Sequence, residues 1–156
     1  NAKGMPFLTS TNLDRTPYYM EAEMNSPMAV LGAGESYTFD TTWFPSRLSG
    51  DFTTVTDAGL VGHPLAARRA GDKIELSGSF GVFFPGELKA FLYNEGGLGK
   101  DQVPLAAVRP QEPVDLHQAI TADKNIARVS IHLIDSSGVD RGALGEVFVT
   151  INGEAH

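Results

Sequence analysis

The side chains best equipped for chemistry gather near the start of the chain. Glu21 and Glu23 stand two apart on a run that opens with Tyr18 and Tyr19, and Trp43, the one tryptophan of the sequence, follows further on beside Phe44. A carboxylate can take a proton from a bound hydroxyl, and aromatic faces suit the C–H face of a pyranose. Tyr18, Tyr19, Trp43 and Phe44 could therefore stack a sugar. The plainer reading makes Glu21 and Glu23 the solvated face of a strand, and Trp43 a packing residue in the core or at its rim.

Elsewhere the chemical signals are thinner. The histidines are His63, His117, His132 and His156, and no cysteine occurs. His63, His132, Asp135 and Asp140 match no metal-ligand spacing, so neither a metal nor another cofactor is expected. Ser77-Gly78-Ser79-Phe80-Gly81 lacks the Gly-x-Ser-x-Gly order and the strand-to-helix elbow that exposes a nucleophilic serine. Asp135-Ser136-Ser137-Gly138 and Asn94-Glu95-Gly96-Gly97 carry some calcium-loop flavour. Hairpin turns using Asx and glycine chemistry explain them better.

Composition narrows the partners. With 156 residues the chain can hold one domain and part of another, and 42% apolar with 20% charged residues is ordinary for a folded protein. A net charge of −7, with Arg68-Arg69 the only adjacent basic pair, speaks against nucleic acid and anionic membranes. No apolar run is long enough for a membrane span. The first residue is Asn1, which suggests a processed or truncated chain, and an exported location, periplasmic or extracellular, is expected.

The elements that must position these residues read as strands. Tyr18 to Met24 alternates, with Tyr19, Glu21 and Glu23 on one face; Pro27 ends it, Gly32-Ala33-Gly34-Glu35 makes a turn, and Ser36 to Phe44 is rich in Thr and aromatics. Leu48 to Asp51 is the expected boundary. Beyond it turn signals recur at Gly59, Gly62-His63-Pro64, Gly71-Asp72, Pro85-Gly86, Pro110 to Pro113 and Ser136 to Gly138. Between them Ile74 and Leu76, then Val129, Ile131 and Leu133, then Val147, Val149 and Ile151 alternate with polar residues. Phe80, Val82 and Phe84 share a face and belong to the core. About seven strands in about 100 residues fit an immunoglobulin-like sandwich over 49–156. The only helical turn expected lies around Asp115 to Ala122.

Three spaced motifs, Met20-Glu21-Ala22-Glu23, Leu31-Gly32-Ala33-Gly34-Glu35 and Thr41-Thr42-Trp43-Phe44, resemble the C-terminal end of the aldose 1-epimerase (galactose mutarotase) family. Ala33 replaces that family's usual proline. The resemblance covers about residues 3–48 and implies an all-β fold in which 1–48 are terminal strands of a mutarotase-like sandwich. It places Glu21 where the family has its catalytic base, with Trp43, Tyr19 and Glu23 as candidate substrate contacts. The family's acid histidines have no counterpart upstream. One carboxylate cannot run the cycle alone, so the implied role is a noncatalytic or partner-dependent share in a carbohydrate site. The alternative is a structural module that associates by strand addition. Both expect a protein partner or self-association through β edges.

Overall fold

The computed structural model describes residues 24–97 and 99–151, and the chain divides between Thr42 and Trp43 into two units. In the first unit, residues 24–42 carry no strand or helix. They do contain the expected turn. The Glu35 amide donates to the Gly32 carbonyl at 3.2 Å, and the Gly32 amide donates to the Glu35 carboxylate at 2.8 Å. Gly34 supplies the positive φ of 86° that a side chain would resist. The strand expected over Ser36 to Phe44 does not form: these residues have high β propensity, but none is paired in a ladder. The strand expected over Tyr18 to Met24 lies, but for Met24, outside the described residues.

The second unit is all-β. Its strands are β1 (Thr54–Val55), β2 (Gly59–Ala70), β3 (Lys73–Val82), β4 (Gly86–Asn94), β5 (Gly99–Val108), β6 (Val114–Thr121), β7 (Ile126–Asp135), β8 (Asp140–Phe148) and β9 (Thr150–Ile151). One sheet runs β1-β2-β3-β6, with β9 parallel to β2 on the edge that β1 also covers; the other runs β5-β4-β7-β8. Every pairing except β2 with β9 is antiparallel. Seven of the described strands have eight residues or more. With β2 and β3 as the first two strands, β2-β3-β6 and β4-β7-β8 reproduce the partition of an immunoglobulin-like sandwich. β5 is added beside β4, and no described strand takes the fourth-strand place beside β6.

Period two explains the packing. Ile74, Leu76, Phe80 and Val82 of β3 face Leu88, Ala90 and Leu92 of β4 and Val129, Ile131 and Leu133 of β7 in one core. Burying each large side chain contributes about 2 kcal/mol. Phe84 lies past the end of β3, half-buried against that core.

Two expectations are corrected here. Gly62-His63-Pro64 is not a turn but part of β2, which absorbs it through register shifts between Val61 and His63 and between His63 and Ala66; the turn signal at Gly59 holds, since its carbonyl accepts from the Thr56 amide at 2.8 Å to close the β1–β2 hairpin. Asp115 to Ala122 is not helical: Leu116 and Ile120, four apart, suit a helix face, yet both point into the sandwich as alternate residues of β6.

A strap from Trp43 to Phe52 crosses the outer face of β2 and β3. A Cβ on Gly81 would lie 2.7 Å from the Ser46 hydroxyl and 2.8 Å from the Arg47 carbonyl, so only glycine admits the strap there. The strap is fixed by Arg47 N to Pro110 O at 2.8 Å and Thr53 N to Val61 O at 2.7 Å.

Candidate functional site

Of the sequence-expected site residues, Glu21, Tyr19 and Glu23 lie outside the described residues, and Trp43 lies inside. Trp43 is 55% exposed and is not a core residue. Its neighbour Phe44 stacks on Phe83 with centroids 5.0 Å apart and meets Phe84 edge-on at 5.4 Å. Arg141 lies over the other participant, 4.4 Å from the Phe84 centroid, and is held by Asp135. Of the expected platform residues, Phe44 thus packs with Phe83 and Phe84, while Tyr18 and Tyr19 lie outside the described residues. Sequence spacing gave no signal for that grouping, since it depends on where the strap lands.

Before Trp43 the apolar side chains are open to solvent. Met28 and Val30 are essentially fully exposed, and Met24, Leu31, Tyr37 and Phe39 are exposed as well. Scattered apolar residues on a surface need no explanation, but here six fall within residues 24–39.

A second polar grouping lies on the outer face of β2, β3 and β6. Register sets His63, Ser79 and Asp115 in one cross-strand row, and Ala66, Ser77 and His117 in the next. Two adjoining grooves, of about 440 Å³ and about 630 Å³, share Ser77 and His117 in their walls. The buried Ser79 hydroxyl accepts from the His63 amide at 2.8 Å, and His63 Nδ1 lies 3.0 Å from the same oxygen. In a Ser-His-Asp triad the carboxylate lies on the far side of the imidazole from the serine. Here the row runs histidine, serine, aspartate, and Asp115 instead accepts from the Ser49 hydroxyl at 3.2 Å. The row braces the strands and the strap by hydrogen bonds and does not have the order of that triad. Sequence alone could not find it, because it depends on strand register.

The remaining acid–base pairs serve the fold. His132 Nδ1 sits 2.9 Å from Asp140 and its ring packs on Phe91 at 4.5 Å. Asp135 is the cap of the β7–β8 hairpin: Oδ1 accepts from the amides of Ser137 at 2.8 Å and Val139 at 3.0 Å, and Oδ2 from Arg141 Nε at 2.7 Å. The Val139 amide above all, with Arg141 and Ser137, holds this carboxyl below the usual aspartate range against the cost of burial. The Asx reading of this turn is borne out, with Gly138 at φ 81°, as is the turn at Asn94 to Gly97. No group of His, Asp and Glu among the described residues could hold a metal ion. Nor is any described helix long and apolar enough to cross a membrane.

Comparison with family models, with curated proteins and with solved structures finds no match.

Proposed function

We propose that this chain is a docking module, whose residues up to Phe44 supply strand to the open-edged sheet of a partner β-sandwich. The observation that carries this reading is the segment 24–44 itself. It holds a strand-forming run, Ser36 to Phe44, that is paired in no ladder, and it exposes Met28, Val30, Tyr37 and Phe39. Backbone amides and carbonyls of such a run find partners on a free sheet edge, and alternate side chains then bury on the neighbour's core. Hydrogen exchange tests this at protein concentrations low enough to disfavour association. Amides of 36–44 should exchange freely while those of β3 and β7 are protected. Strong protection of 36–44 under those conditions would mean that the segment is already satisfied within its own chain, and the reading would fail.

The exposure of Trp43 favours a second reading, in which the docked strand also completes a carbohydrate site in a mutarotase-like partner. Glu21 would act as base, Tyr19, Glu23 and Trp43 would contact the sugar, and the partner would provide the acid. Galactose or glucose should then shift the fluorescence of Trp43, the single tryptophan, more in the wild type than in Glu21→Gln. Equal or absent shifts in both would remove the sugar and leave the docking role.

A further inference from the structure

The four sheet edges of the sandwich are not alike. The outer edge of β2 is covered by β1 and β9. β8 pairs with β7 through two register shifts and carries Gly142 at φ 110°. β5 contains Pro104, and its pairing with β4 is also broken twice. Such breaks and prolines are how natural sheets discourage a further strand. β6 has none of them. Its eight residues pair with β3 in unbroken register from Phe80↔Val114 to Lys73↔Thr121, and it contains no proline, lysine or arginine.

We propose that the edge of β6 is the receptor for residues 36–44 of a second copy of this chain, each copy lending its segment to the other. This rests on the docking reading above and names the partner. Three observations favour a second copy. The nine residues of 36–44 match the eight-residue length of β6. The place they take is the fourth-strand position that no described strand fills beside β6. The core is also incompletely closed along this side, where Val103, Leu105 and Val108 of β5 and Val114 of β6 are only half-buried. Alternate Tyr37, Phe39 and Trp43 side chains of an added strand would cover them. Reciprocal exchange makes a closed two-fold dimer and leaves no receptor edge for further growth.

Sedimentation across a range of concentrations reads the outcome. The wild type should pass from chain mass to twice that mass. Thr41→Pro, which spoils the donor segment, and the double variant Ala119→Lys/Thr121→Lys, which guards the receptor edge at exposed positions, should each stay monomeric or associate at least tenfold more weakly. Mixing the two should restore a heterodimer, because one retains an intact receptor and the other an intact donor. Cysteine at 38, 40 or 42 in one preparation should form a disulfide with Ala119→Cys in another, and not with Lys89→Cys on the other sheet; the native chain has no cysteine to interfere. A wild type that stays monomeric while 36–44 exchange freely overturns the second copy but leaves docking to another protein. A dimer that survives both variants overturns it too, by locating association elsewhere. Protection of 36–44 in the monomer overturns both readings together.

Discussion

Residues 24–44 and strand β3 are built from similar material and end in opposite states. Ser36 to Phe44 alternates Tyr37, Phe39 and Trp43 with polar residues, much as β3 alternates Ile74, Leu76 and Phe80 with Glu75, Ser77 and Ser79. Ile74, Leu76 and Phe80 are buried, whereas Tyr37, Phe39 and Trp43 are exposed. The difference is the neighbour: β3 has β2 and β6 on either side, and the earlier run has no ladder partner. Residue type makes a strand possible. Only a paired edge and a covered face make one form.

Substitutions can break this comparison. The largest effect is expected from Phe80→Ala, which opens a cavity in a fully buried site and should cost about 3–5 kcal/mol in denaturant unfolding. Phe39→Ala should leave monomer stability within about 0.5 kcal/mol. Comparable losses in the two variants would erase the distinction between the regions.

A smaller effect is expected at the β7–β8 turn in acid titration. The carboxyl of Asp135 titrates lower when folded than when unfolded, so its stabilisation is fully present above the unfolded value of about 3.9 and is lost as pH falls through the lower folded value. Asp135→Asn should therefore lower Tm at neutral pH, with the gap to wild type closing below pH about 4. A gap that persisted unchanged in acid would assign the loss to shape and not to charge. The smallest effect is expected from Glu75→Gln. This removes the exposed ion pair with Arg68 and should shift stability by less than about 1 kcal/mol, fading further in salt.

Much of the second unit was legible because its inward positions alternate with polar ones. Ile74 and Leu76, and Val129, Ile131 and Leu133, point to their strands without help, and Asp135 with Gly138 announces its turn. β2 was hidden by Gly62-His63-Pro64, since a strand that tolerates bulges has the same punctuation as a loop. β6 was hidden because Leu116 and Ile120 satisfy two periodicities at once. Ser36 to Phe44 misled in the other direction, as its composition reports propensity and says nothing about the availability of a neighbour. Of the candidate site, Trp43 was legible as an aromatic of interest. The Ser79–His63 brace and the Phe44, Phe83 and Phe84 grouping arise from register and from the landing of the strap, which no single stretch encodes.

The parallel rungs Arg68↔Thr150 and Arg69↔Ile151 give the sandwich a mechanical property. Tension applied along the chain drags β2 backward and β9 forward, so the clasp between them is loaded in shear and its hydrogen bonds bear the force together. Antiparallel β1, by contrast, peels from β2 one rung at a time under the same pull. Under such a pull β1 would give way first and the β2–β9 clasp would hold longer.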